Sequence, residues 1–411
     1  MKRYLAGSAV LFYDQHPAPD GAPLNPMSTR FSSPLLQSVN AQLPAMIATL
    51  RGYVEQESPS ESPDAIAALV AMIAKDFVAL GGRVRLHRFA GHGPVLQVDF
   101  AGPRGGPRVL LLGHTDTVYP PGTLRTMPWR EDRGRLSGPG VFDMKAGIVQ
   151  ALFALKALLA RAPLPCAVTV LLVPDEEIGS PASRTLTERL ALKSSAVLVL
   201  EPAAGATGAC KTARKGVARY TVRVHGRASH AGLDFERGAS AIVEAAHQVL
   251  AIGGLCRVAQ GLTLNPGVIA GGTRPNVVAE SAEIVVDVRF LTASQGARVD
   301  AGIRKLRPHD PRCTLEILGG VERAPFVRST ATAKLYRMAA EAAERLGFEL
   351  AETSVGGGSD GNLTAALGVP TLDGLGAVGD GAHASTEFVV ARELPRRSAL
   401  LAELMTTFAA L

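Results

Sequence analysis

The chain has 411 residues, enough for two domains, and 47% of them are apolar against 19% charged, the ordinary balance of a globular protein. Its 43 basic and 37 acidic residues leave a formal charge of +6, aromatic residues make up only 5%, and no Lys/Arg block of five occurs, which argues against a nucleic-acid partner. No run of 18 apolar residues exists to span a membrane; the mild basic bias favours, if anything, small anionic substrates.

The N-terminal MKRYLAGSAVLFY imitates a secretory leader, but Asp14, Gln15 and His16 follow at once and no small-x-small cleavage site is present. The Pro- and Gly-rich stretch to Pro26 reads as unstructured, and Met27 offers a second start. Residues 1–35 are therefore expected to be a poorly structured extension, and the expected location is cytoplasmic, with an exported form as the alternative. Cys166, Cys210, Cys256 and Cys313 lie far apart without a C-x-x-C pair, which suits buried free thiols rather than a disulfide framework or zinc knuckle.

From Pro63 to Leu80 the apolar spacing is helical and stops at Gly81-Gly82. Strand-like runs follow at Val95–Phe100 and Val109–Leu112, then a long helix from Ala146 to Arg161, then strands at Ala167–Leu172 and Ala196–Leu200. Strands alternating with helices predict an α/β domain with a mostly parallel central sheet flanked by helices. Between about Gly216 and Arg323 the texture changes to alternating strands such as ARYTVRVHG and AEIVVDVRFL, interleaved with helices near Gly238–Leu250 and Ser294–Leu306. This predicts an inserted α+β lid over 213–324, splitting the main domain into 36–212 and 325–411. Thr330–Leu346 and the C-terminal segment then return to helices and the α/β style.

The chemistry-bearing residues collect at strand and turn ends. His114 and Asp116 follow Val109–Gly113, Asp143 lies in GPGVFDMKAG just before a helix, Glu176 and Glu177 end VPDEE, Glu201 ends VLVLE, and His383 lies in GDGAHASTEF. In open α/β sheets, ligands bind beyond the carboxyl ends of the strands, so these groups are expected to converge. Each alone has a plainer reading: an incidental H-x-D, a solvated loop glutamate, a surface histidine. Together, imidazoles and carboxylates fit a two-zinc site, in which a carboxylate with two oxygens can bridge and an imidazole cannot. Asp116 is placed to hold the second N–H of the His114 ring. Adjacent residues on an extended chain face opposite ways, so Glu176 and Glu177 are expected to have different tasks, while Asp175 reads as a plain loop residue.

The series LLLGHTDTV, GPGVFDMKAG, VPDEEIGS, VLVLEP, SHAG, GGTRPNVV and a late GAH resembles the co-catalytic zinc peptidases, which include glutamate carboxypeptidases, aminoacylases, acetylornithine deacetylases and succinyl-diaminopimelate desuccinylases. The resemblance runs from about residue 38 to the end and is nearest to bacterial glutamate carboxypeptidases, which share GGG(S/T)D. The same resemblance implies that the main domain is catalytic and that the lid also dimerises. It implies two zinc ions per subunit, with cobalt or manganese as substitutes: His114 and Glu201 on one, Glu177 and His383 on the other, Asp143 bridging. It also implies a cis peptide after Asp143, Asp116 as the orienting acid, Glu176 as general base, and His230 stabilising an oxyanion, often from the partner subunit of a homodimer formed through the lid. Asn276 and Arg289 would contact the substrate carboxylate, with a lid salt bridge as the alternative for Arg289. Gly357 and Gly358 would approach the substrate through their backbone, with a tight turn as the alternative. The implied substrate is a small peptide or N-acyl amino acid carrying a free carboxylate.

The loop AAGATGACKTARKG departs from the family, whose glutamate carboxypeptidases meet the side-chain carboxylate there with a Lys and a Ser: it has no Ser and no matching pattern, leaving Lys211, Arg214 or Lys215 as substitutes, with Arg323 as a further anion contact. The resemblance thus implies a glutamate-carboxypeptidase-like hydrolase, with an N-acyl-amino-acid deacylase and an inactive metal-binding relative as alternatives. A phosphate reading of the glycine loop fails for want of G-K-[ST].

Overall fold

A computed structural model describes residues 33–408, so the leader, extension and second-start readings fall almost wholly outside the described residues. The described chain divides into two units. One contains the residues up to Ala213, Arg328–Val355 and those from Ser359 onward; the other contains Arg214–Val327 and Gly356–Gly358.

The larger unit is an α/β fold around a six-stranded sheet, ordered Arg83–His87, Val95–Phe100, Ala167–Val173, Arg108–His114, Ala196–Val199, Thr371–Leu372. The last four strands pair in parallel, while the first two add an antiparallel edge. Strand side chains alternate faces, and here both faces are buried. Leu96, Val109, Leu111, Val170 and Leu198 join the larger core, together with side chains of the Leu43–Glu55, Pro63–Ala79, Ala146–Leu159 and Glu393–Thr407 helices. Leu110, Leu112, Leu171, Val197 and Val199 face a smaller core with Leu186 and Ala191 of the Arg184–Ala191 helix. The Ala146–Leu159 helix buries every residue from Ala146 to Leu155, as expected for a central element. At Gly147 a Cβ would stand 2.2 Å from the Leu200 carbonyl, so only glycine lets this helix start against the strand end that carries Glu201.

The smaller unit is a four-stranded antiparallel sheet, ordered Thr263–Gly271, Ser281–Phe290, Gly216–His225, Thr314–Arg323. Tyr220, Val222, Ile284, Val286 and Phe290 form one core with residues of the Ala241–Gly253 and Ala293–Arg304 helices. On the other face, Arg223 is ion-paired with Glu283 and Glu316. The first of these strands escaped sequence reading because Pro266 interrupts it; the pairing shifts register between Pro266 and Val268 to accommodate the missing N–H. Cys166, Cys210 and Cys313 are buried free thiols, whereas Cys256 is only half-buried.

Candidate active site

The three central parallel strands Ala167–Val173, Arg108–His114 and Ala196–Val199 lie side by side, so their carboxyl ends present neighbouring loops. His114 closes the middle strand, Glu177 follows the first, and Glu201 follows the third. Asp143 comes from the turn ahead of the Ala146–Leu159 helix, and His383 from the loop between Gly379–Asp380 and Phe388–Val390. The Asp143–Met144 peptide is cis, and His383 adopts a φ of 64°, a left-handed conformation that few histidines occupy.

These five side chains meet in the larger unit. His114 Nε2 lies 3.0 Å from Asp143 Oδ1 and 3.5 Å from Glu201 Oε1. His383 Nε2 lies 3.3 Å from Asp143 Oδ2 and 3.2 Å from Glu177 Oε2. Each imidazole thus faces a different oxygen of the same aspartate and has a second carboxylate of its own. Donor atoms of His114, Asp143 and Glu177 lie within 4.8 Å of one another, as do those of His114, Glu176 and Glu201.

The electrostatics favour positive charge at both imidazoles. Burial lowers the His114 pKa, but hydrogen bonds to Asp116, Asp143 and Glu201 outweigh it and leave it well above the ordinary value. Hydrogen bonds to Asp143 and Glu177 push His383 up to about 10. Burial opposes ionisation of Asp143, yet the two histidines hold its carboxyl well below the usual range. Glu177, buried and beside the Asp143 charge, is pushed up to about 7. Its Oε1 is buried without a hydrogen-bond partner. Four clustered carboxylates, two imidazoles and an orphaned buried oxygen are the donor set of a cation site; nitrogen and oxygen ligands of this kind suit zinc and its divalent neighbours.

Asp116 does more than hold a ring. The His114 Nδ1 lies 3.0 Å from the Asp116 backbone carbonyl and 3.4 Å from its carboxylate. The carboxylate also accepts the backbone N–H groups of Glu176 at 3.2 Å and Glu177 at 3.1 Å, and the Ser60 hydroxyl at 2.8 Å. Glu176 and Glu177 diverge for a different reason from that expected: they lie in a 3₁₀ turn, Glu176–Ile178, where successive side chains fan out by roughly 120°. Asp175 also corrects its sequence reading. It is fully buried, and its Oδ2 accepts from Ala182 N at 2.7 Å and Ser183 N at 3.1 Å, closing the loop that carries both glutamates.

Glu387 was missed altogether. Four residues beyond His383 in GAHASTEF, it is fully buried and receives the backbone N–H groups of Gly140, Phe142 and Asp143 and the Tyr119 hydroxyl. The available signal was an acid abutting the apolar run Phe388–Val390, where a charge needs donors.

The other expected site residues belong to the smaller unit. His230 is exposed, and its Nδ1 accepts from Gly232 N at 3.1 Å and Leu233 N at 3.2 Å, so the neutral ring carries its proton on Nε2. Asn276 is brought beside it: its carbonyl accepts from Ala231 N at 3.0 Å. Arg289 is held bidentately by Asp287, two residues away on the same strand face, at 2.8 and 2.9 Å. The Gly357 and Gly358 carbonyls accept from Arg214 Nη1 at 3.2 and 3.3 Å. Arg214 and Arg323 are both buried.

Residues 110–407 match the sequence model described as Peptidase family M20/M25/M40. Carboxypeptidase G2 of Pseudomonas sp. (strain RS-16) is 31% identical over 382 residues, covering 90% of this chain and 91% of that protein. Acetylornithine deacetylase of Myxococcus xanthus is 27% identical over 392 residues, covering 89% and 98%. The crystal structure of an M20 family metallo-carboxypeptidase from Sulfolobus solfataricus superimposes with a TM-score of 0.74 at 17% identity, covering 89% of this chain and 99% of that one.

Proposed function

Because this chain belongs to peptidase family M20/M25/M40, we propose that it is a two-zinc hydrolase cleaving an amide or peptide bond beside a free carboxylate, in the manner of a glutamate carboxypeptidase. The observation that carries this reading is the division of Asp143, with Oδ1 toward His114 and Oδ2 toward His383. His114 and Glu201 would hold one ion, Glu177 and His383 the other, and Asp143 would bridge; cobalt or manganese can substitute. When bound, the ion pair supplies Lewis acidity, polarising the scissile carbonyl and making water nucleophilic at neutral pH.

Glu176 is the general base: it takes the proton of the attacking water and delivers it to the leaving amine. Asp116 holds Glu176 and Glu177 by their backbone N–H groups while fixing the His114 ring, so one carboxylate sets both ligand and base. His230, with its proton on Nε2, is suited to donate to the developing oxyanion. Asn276, Arg289, Gly357 and Gly358 are assigned to the substrate carboxylate; for Arg289 this requires sharing its guanidinium with Asp287.

The exposed edge of the smaller unit supports a homodimer through that unit. Val268 and Ile269 on the edge strand are 57% and 56% exposed, and Ile242, Val243 and Leu250 of the Ala241–Gly253 helix are also exposed. A second copy pairing edge to edge would cover this apolar surface and satisfy the open backbone groups.

A second reading, an N-acyl-amino-acid deacylase, is favoured by the similarity to acetylornithine deacetylase and by the altered loop around Lys211–Lys215. Zinc-loaded protein incubated with dipeptides, folate-like N-acyl-glutamates and acetyl- or succinyl-amino acids separates the two. Faster release of glutamate from the former supports the carboxypeptidase, preference for acetyl or succinyl substrates supports the deacylase, and amine release from none overturns both.

A further inference from the structure

We infer that Glu387, together with Tyr119, is a positioning pair that sets the bridging Asp143 and the His383 loop at once, and so governs binding of the second ion more than the first. The inference rests on the two-ion reading above and adds to it a pair that acts through hydrogen bonds to the segments carrying Asp143 and His383.

Glu387 Oε1 accepts from Phe142 N at 2.7 Å and Asp143 N at 2.9 Å. Its Oε2 accepts from Gly140 N at 3.1 Å and from the Tyr119 hydroxyl. Four donors on one fully buried carboxylate fix its position, because moving it would leave charged oxygens dry and unbonded. The Tyr119 hydroxyl also lies 2.9 Å from the carbonyl of Ala384, the residue next to His383. Tyr119 itself follows shortly after Asp116. Tyr119 and the 140–143 turn are therefore tied to one carboxylate, and the Ala384 carbonyl lies against the same tyrosine hydroxyl.

The two ions depend on this clamp unequally. His114 is the last residue of a central strand ladder, and Glu201 lies two residues beyond another, its carbonyl accepting from Gly376 N at 2.9 Å; neither uses Glu387. Asp143 and His383 stand on turns: the Asp143 backbone (φ −112°, ψ 93°) is not helical, and His383 holds a positive φ. For Asp143 the bond from its own N–H to Glu387, and for the His383 loop the Ala384 carbonyl against the Tyr119 hydroxyl, take the place of a strand ladder. In Glu387→Gln the amide nitrogen must face a backbone N–H whichever way it is turned, those of Phe142 and Asp143 or that of Gly140, donor against donor.

The test is titration of apo wild type, Glu387→Gln, Tyr119→Phe and His383→Ala with Zn(II) against a chromophoric chelator, with Co(II) visible spectra and thermal melts alongside. His383→Ala marks which ion and which Co(II) band belong to the second site. In Glu387→Gln that ion should bind about 10–100-fold more weakly, with the first ion within about threefold. Tyr119→Phe keeps every backbone bond to Glu387 and should shift the same ion in the same direction by less. Equal weakening of both ions, or no change in either variant, overturns the inference. If wild type takes up fewer than two ions, the two-ion reading itself fails, and the inference with it.

Discussion

Glu176 and Glu177 are neighbours in sequence, yet the 3₁₀ turn and the Asp116 carboxylate beneath it send them to different partners. Glu177 meets His383, while Glu176 lies with His114 and Glu201. Replacing Glu176 by Gln should lower kcat by about 10²–10⁴-fold, the ordinary weight of a positioned base, with both ions retained by metal analysis. Full activity in that variant would remove Glu176 from the mechanism. The clustered histidines and carboxylates were legible because metal chemistry permits few residue types and the strand ends fix their order. Asp175 and Glu387 were not legible. Their work is to accept backbone N–H groups across the fold, and a one-dimensional string does not say which N–H groups lack partners. Arg289 was legible as a cation, but its grip on Asp287 depends on two side chains sharing a strand face.

At the scale of elements, parallel pairing of Ala167–Val173, Arg108–His114 and Ala196–Val199 turns three separate motifs into one cluster. The Val95–Phe100 and Ala167–Val173 strands and the Pro63–Ala79 and Ala146–Leu159 helices were readable from apolar pattern and length, whereas the Leu43–Glu55 and Arg184–Ala191 helices and the Arg83–His87 strand were not read. Nor was the Thr263–Gly271 strand, since proline argues against a strand unless the pairing bulges around it. That strand is also the edge proposed for self-association. Ile269→Glu places a charge on the apolar edge and should convert a dimer to a monomer in light scattering with chromatography, leaving the melting temperature of the fold nearly unchanged. A dimer that persists in this variant would place the interface elsewhere.

Across the whole molecule, a cluster of carboxylates in a buried cleft makes the native state depend on its counter-charge. Ions that bind only the folded chain stabilise it by about 4 kcal/mol at a thousandfold excess over Kd. Chelation followed by dialysis should therefore abolish turnover and lower the melting temperature by several degrees, and Zn(II) should restore both. An unchanged melt after complete metal removal would show that the cluster does not contribute to stability through metal. The residues of this cluster are also spread far along the chain. By the time synthesis passes Glu201, the nascent polypeptide already contains His114, Asp143, Glu177 and Glu201, but His383 and the Glu387 that steadies it lie nearly two hundred residues further on. At translation rates of about 5–20 residues per second, that interval lasts roughly ten to forty seconds. No N-terminal fragment that ends before His383 contains all the residues of this cluster, so a chain cut short there is born without a complete centre.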